Sequence, residues 1–317
     1  MIGIGQHSYT EAWRPNSGAK FNNALTFLEY ANSIGASGVQ VAIKPDEQPN
    51  AAKIRARCEE LNAYFEGNVV LPKTDADVVA FEAHIAAIKT AGASVARTAC
   101  LSGRRYETFK SLEEFNDFKA TSIKALTRAE PIVRKHKIKL AVENHKDWLA
   151  EEHVAILRGL SSEWIGALID TGNNIALLDN PYEHIEALAP FAFSSHLKDM
   201  AVQEYEHGFL LSEVPLATGY LDIPKIVSLL REANPQIRLN LEMITRDPLN
   251  IPCLDQPYYA TFTNPPASRL ARAVADVKRN ACTKLLHTTG LSAGERIDLE
   301  DRNVRESIIW AKAHLKA

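Results

Sequence analysis

The stretch KHKIKLAVENHKDW, residues 135–148, holds two signals in sequence. Lys135 to Lys137 read as the basic last turn of a helix, where positive charge meets the helix dipole. The chain then enters a short apolar strand, Lys139–Glu143, which stops on a carboxylate and adds His145, Lys146 and Asp147 almost at once. A helix that feeds a buried strand closed by ionisable side chains is one unit of a parallel sheet with chemistry at its strand ends. Three later stretches repeat the pattern: IGALID at 165–170, AFSSHL at 192–197 and RLNLE at 238–242.

Upstream, four more strands are expected at Ile2–Gln6, Gly38–Ile43, Tyr64–Val69 and Ser94–Ala99. Helical periodicity fills the intervals, near Asn22–Ser33, Ala51–Leu61, Asp75–Ala91, Leu112–His136, Glu151–Leu160, Tyr182–Ala189 and Pro224–Glu232, with Asn264–Leu286 after the eighth strand. Caps and early prolines support several starts, such as Asp222 with Pro224 and Asn180 with Pro181. Eight strand–helix alternations predict a (β/α)8 TIM barrel. The competing open doubly wound sheet would want a Gly-x-Gly-x-x-Gly turn after an early strand, but Gly3 and Gly5 lie inside the first strand. The barrel is assigned to residues 1–290, and an extra C-terminal helix to 291–317, packed on the barrel exterior or against another subunit. The long segments Asp199–Tyr220 and Met243–Pro266 follow strands seven and eight, where barrel enzymes build their sites.

Composition bounds the rest. Of 317 residues, 46% are hydrophobic and 24% charged, and the net charge is −3, which gives no bulk attraction to nucleic acid or to an anionic membrane. There is no apolar run near the ~20 residues of a membrane span and no signal-peptide pattern at the start, so a cytoplasmic protein is expected. Cys58, Cys100, Cys253 and Cys282 are widely spaced, as in buried thiols of a reducing compartment.

The four late strands end on or beside Glu143, Asp170, His196 and Glu242, spaced 27, 26 and 46 positions apart. A closed barrel sets these ends side by side on one rim. A lone acid at a strand end commonly caps a helix. Three carboxylates gathered with an imidazole repel one another unless a cation joins them. The set therefore predicts a divalent metal, Mn²⁺ first, with Mg²⁺, Co²⁺ and Zn²⁺ as alternatives. Period-two geometry pairs Glu143 with His145 and His196 with Lys198, so each ligand is followed by a proton-transfer or charge-stabilising group. Catalytic roles are thus expected for His145, Lys198, Glu143 and Glu242. Further mouth candidates for binding substrate are His7, Glu66, Arg97, Arg246, Trp13 and Asn173.

At these residues the chain resembles the xylose isomerase-like TIM barrel superfamily, over roughly residues 1–285. VEN at 142–144, IDTGN at 169–173, SHLKD at 195–199 and LEM at 241–243 carry the resemblance. It implies a metal on the four residues above. The set with ENHKDW and LEMITRDP is similar to bacterial barrels that cleave 3-oxo sugars or decarboxylate 3-oxo sugar acids. Asn173 stands where the ketose 3-epimerases carry a histidine, and the extra histidines of the endonuclease branch are missing. The expected function is a metal-dependent carbohydrate lyase working through a metal-stabilised enediolate. A sugar isomerase or epimerase is the alternative, and a non-catalytic barrel needing a small partner subunit stands third. A homo-oligomer is expected.

Overall fold

The computed structural model describes residues 2–15, 18–263 and 267–315. Eight parallel strands close a barrel: β1 (Ile2–Gly5), β2 (Gly38–Val41), β3 (Tyr64–Asn68), β4 (Val95–Thr98), β5 (Lys139–Glu143), β6 (Ile165–Asp170), β7 (Ala192–Leu197) and β10 (Leu239–Leu241). They run in the order β1-β10-β7-β6-β5-β4-β3-β2, so β10 returns to pair with β1, Ile2 against Leu239 and Ile4 against Leu241. The open sheet is thereby excluded. All eight strands fall where the sequence predicts them, the early ones stopping short of the expected ends because the chain turns into the mouth loops.

Around the barrel lie α1 (Ala24–Ser33), α2 (Ala51–Leu61), α3 (Val78–Thr90), α4 (Arg105–Thr108), α5 (Leu112–His136), α6 (Ala150–Leu160), α7 (Pro181–Leu188), α8 (Ile223–Ala233) and α9 (Ala267–Asn280). Local chemistry sets their limits. The Ser111 hydroxyl accepts from the Glu114 N–H at 3.2 Å to start α5, and a left-handed Lys137 (φ 54°) ends it before β5. Asn180 and Asp222 cap α7 and α8, with a proline in each first turn. Helix α9 is shorter than expected. Residues 264–266 lie outside the described residues, and after Asn280 the Cys282 N–H donates to the Val202 carbonyl at 2.9 Å, drawing the chain out of its helical path. Cys58 and Cys253 are buried, Cys100 and Cys282 half-buried, and all four are free thiols.

Two glycines make room inside the barrel. A Cβ at Gly3 or Gly38 would strike the Tyr64 ring or hydroxyl, 2.3 Å away at Gly3 and 2.5 Å at Gly38. Glycine in the first strand thus serves side-chain packing and no phosphate loop.

The long segment after β7 is a hairpin, where the sequence suggested only a loop. β8 (Asp199–Tyr205) and β9 (Gly208–Val214) pair antiparallel across a two-residue turn, and β11 (Leu249–Ile251) joins β9 to make a small sheet over the mouth. Helix α10 (Ala293–His314) opens on a Ser292–Glu295 capping box and lays Leu299, Val304, Ile308 and Ala311 against the barrel. It also grips three mouth loops. The Glu300 carboxylate accepts from the Glu11 and Ala12 N–H groups at 2.7 and 3.1 Å. Asn303 Nδ2 donates to Thr245 Oγ1 at 2.9 Å, and the Ser307 hydroxyl accepts from the Leu216 N–H at 3.2 Å. Among the described residues, no helix is long and apolar enough to cross a membrane.

Candidate metal centre

Glu143, Asp170, His196 and Glu242 meet at the C-terminal rim, all buried, each offering one ligand atom within 4.8 Å of the others. Their strands explain the convergence. Glu143 and Asp170 are the last residues of β5 and β6, His196 pairs with Asp170 across β6 and β7, and Glu242 follows β10 directly.

Asp170 and His196 are each held from outside the centre, so that one atom of each faces into it. Asp170 Oδ1 is taken by the Gly172 and Asn173 N–H groups at 2.9 and 2.8 Å, which leaves Oδ2 facing inward. His196 donates from Nε2 to Gln40 Oε1 at 2.6 Å. Its Nδ1 faces Glu242 Oε2 at 3.3 Å, Glu143 Oε1 at 3.5 Å and Asp170 Oδ2 at 3.7 Å, with a well-formed hydrogen bond to none. A buried ring nitrogen aimed into three carboxylates without a well-formed hydrogen bond suits a cation-binding position. Three anionic oxygens with one nitrogen suit a divalent ion.

The charges agree. Burial opposes ionisation of Glu143 and Glu242, yet Arg97 and His196 hold the first, and His196 and Lys198 the second, well below the usual carboxylate range. Burial likewise opposes a charged His196, but Glu242 and Glu143 outweigh it and hold the imidazole well above its usual value. The metal-free cluster is thus neutralised by borrowed cations. Arg97 Nε donates to Glu143 Oε2 at 2.6 Å, and Lys198 Nζ lies 2.8 Å from Glu242 Oε2 and 3.0 Å from Asp170 Oδ2.

A cavity of about 650 Å³ opens onto Glu242. His7, Arg97, His145 and Arg246 line its polar end, while Leu101 and Phe118 belong to an apolar wall. Burial pushes His145 down to about 4 and lowers His7, so both rings are neutral near pH 7. Asn173 lies behind the rim, donating to Glu143 Oε1 at 3.0 Å. Lys198 is enclosed by Asp170, Glu213 and Glu242. Two expected mouth residues stand elsewhere. Glu66 is fully buried in the barrel interior, bonded to Gln40, Ser194 and Asn240. Trp13 packs on Phe21 and Phe27, ring centroids 5.5 and 5.4 Å away. A second cavity, about 460 Å³, lies at the opposite strand ends beside Tyr64 and Arg238, away from all four ligands.

Sequence reading passed over four participants. Asn144 extends β5 by its side chain. Its Nδ2 donates to the Asp170 carbonyl at 2.9 Å and its Oδ1 accepts the Asp170 N–H at 2.8 Å, continuing the ladder after the backbone has turned away. Glu213, carried in by the hairpin, accepts from Arg246 Nη2 at 2.8 Å and from the Ile244 N–H at 2.6 Å. Lys146 is buried with a left-handed backbone (φ 62°) and bonds Asn173 Oδ1. Burial and then Lys198 lower it to about 7. Gln40 is the fourth. The VEN motif contained Asn144, and Gly208, which opens β9 beside the Glu206–His207 turn, was the local signal for the hairpin.

The family model for the xylose isomerase-like TIM barrel matches residues 28–257. The chain belongs to this family. A 3-oxo-isoapionate decarboxylase from Pectobacterium atrosepticum is 32% identical over 94 residues, which is 29% of this chain. That match spans about a third, 34%, of the decarboxylase. Solved structures share the fold at low identity. A D-psicose 3-epimerase determined with D-fructose superposes with TM-score 0.62 at 13% identity, covering 100% of this chain and 99% of its own. The IOLI protein with a bound zinc atom gives 0.59 at 14%, covering 98% of each. A barrel from Mycobacterium smegmatis in complex with magnesium gives 0.56 at 15%, covering 86% and 97%.

Proposed function

We propose that this chain is a divalent-metal-dependent lyase that acts on a 3-oxo sugar acid or a 3-oxo sugar, with Mn²⁺ as the working cation. One observation carries the reading: Arg97, Arg246, His7 and His145 share a cavity with the ligand Glu242. Two guanidinium groups suit a carboxylate, and neutral imidazoles suit proton transfer beside it. The local likeness to a 3-oxo-isoapionate decarboxylase supports the same substrate class.

Glu143, Asp170, His196 and Glu242 would hold the cation, which would supply Lewis acidity toward the substrate ketone. In a 3-oxo acid the carbon between ketone and carboxylate is activated by that ketone. When the carboxyl carbon leaves as CO₂, its bonding pair stays on this carbon, which then takes up a proton. In a 3-oxo sugar the same carbon loses a proton and the substituent next to it departs. In the elimination His145, neutral and without a partner on Nδ1, accepts this proton, and in the decarboxylation it relays a proton taken up from water to that carbon. A substrate carboxylate gripped by Arg97 and Arg246 adds the negative charge that raises its basicity. Lys198 stays charged despite burial, through Asp170, Glu213 and Glu242, and keeps the neighbouring carboxylates ionised.

The test is the mass of the product formed by pure, Mn²⁺-loaded protein from 3-oxo sugar acids, 3-oxo sugars and free ketoses. Loss of CO₂, water or an aglycone supports a lyase. Unchanged mass with altered stereochemistry refutes it in favour of an epimerase. A metal-loaded but inactive chain points to a missing partner subunit. His145→Ala should keep the metal and lose turnover, and near-full turnover would refute the base assignment.

A further inference from the structure

Beneath the rim, the barrel interior holds a polar column where a TIM barrel ordinarily packs branched apolar side chains. Glu66, Gln40, Ser194 and Asn240 are all at most 1% exposed. Glu66 Oε2 accepts three bonds, from Gln40 Nε2 at 3.0 Å, Ser194 Oγ at 2.7 Å and Asn240 Nδ2 at 3.0 Å. The Tyr64 hydroxyl donates to Asn240 Oδ1 at 2.9 Å, which turns the Asn240 amide nitrogen toward Glu66. Arg238 reaches in from the opposite strand ends, its Nη1 3.7 Å from Glu66 Oε1, and supplies the counter-charge.

Resting on the metal-centre reading, we propose that Glu66 and Gln40 are positioning residues that fix which nitrogen of His196 is offered to the cation. A carboxylate only accepts, so Glu66 compels Gln40 to turn its NH₂ downward. The reversed amide would set oxygen against oxygen in a fully buried site. With the NH₂ committed, Gln40 presents its carbonyl oxygen to His196 Nε2 at 2.6 Å, and an oxygen acceptor requires a proton on that nitrogen. Nδ1 is thereby the nitrogen left for the three carboxylates and their cation. A charge deep in the barrel, bonded to no ligand directly, sets the tautomer of one through a single amide.

The experiment titrates Mn²⁺, and separately Zn²⁺, into metal-free full-length protein by calorimetry, with the melting temperature measured alongside. Gln40→Met keeps the shape of the side chain and removes both polar ends. It should weaken binding about tenfold to a hundredfold, the usual effect of losing a ligand's outer partner. Glu66→Gln lets the Gln40 amide turn over and should weaken binding about tenfold. In the double variant the second change should add nothing to Gln40→Met, because Glu66 acts through Gln40. Packing damage alone would make the two losses multiply. Affinity of Gln40→Met within about twofold of wild type, or multiplying losses, overturns the relay. A Glu66→Gln chain that fails to fold leaves Gln40→Met to decide alone. A wild-type protein that takes up neither ion defeats the metal centre itself, which separates the two failures.

Discussion

Replacing Asn144 by alanine should loosen the rim at one point and cost measurable stability. The side chain is fully buried and makes three bonds of good length: to the Asp170 N–H (2.8 Å), the Asp170 carbonyl (2.9 Å) and Asn174 Oδ1 (2.9 Å). At about 1–1.5 kcal/mol net for each bond, the loss is about 3–4.5 kcal/mol. An unfolding entropy of about 2.1 cal/mol/K per residue gives about 0.7 kcal/mol/K for a chain of this length. The melting temperature of the metal-free protein should therefore fall by about 5 °C. Cation affinity should weaken as well, because Asp170 stays anchored through Oδ1 while its peptide group is freed. Calorimetric melting of wild type and variant in chelator reads the first effect, and ion titration reads the second. A melting temperature within about 1 °C of wild type would mean that water replaces the amide freely and that the side chain does not extend the strand ladder.

Metal uptake should expel a proton. Burial works against a charged His196, yet Glu242 and Glu143 hold its pKa well above the usual value, so a cation near neutral pH displaces the Nδ1 proton. Affinity should rise with pH as this proton becomes easier to displace, and an affinity equal at about pH 6 and about pH 8 would contradict it. Burial raises Glu300 to about 7 against the two N–H groups that it accepts. Its folded pKa exceeds the unfolded one, so its contribution is complete at low pH and is lost as pH climbs toward about 7. The stability gap between wild type and Glu300→Gln should accordingly shift in the variant's favour from about pH 5 to about pH 8, and a constant gap would refute this. Trp13→Leu should lower the melting temperature through its aromatic cluster while leaving KM within about twofold. A large rise in KM would return Trp13 to the substrate pocket.

The barrel and the convergence of four candidate ligands were legible because both rest on simple periods. Strand–helix alternation counts to eight, and Glu143, Asp170, His196 and Glu242 each close one strand. Period two says which strand residues point inward but not at what depth. Glu66 therefore looked like a mouth residue, yet it sits mid-strand in β3 with the polar column around it. Trp13 was misplaced for another reason: a loop aromatic carries no period, and Phe21 and Phe27 claimed it. Glu213 was hidden by reading the segment after β7 as loop, although its alternation around a two-residue turn spelled a hairpin. Asn144 escaped because an amide that replaces backbone leaves no trace in composition.

Helix α10 fastens the loops after the first and last barrel strands, and the segment that follows the hairpin, through Glu300, Asn303 and Ser307. The entrance to the cavity is thus cinched by a part of the chain that contributes no ligand to it. Fraying at the far end of the sequence would be felt first where substrate enters. In hydrogen–deuterium exchange, clipping the final turns should speed labelling around residues 11–12, 216 and 245 well before the barrel strands themselves lose protection.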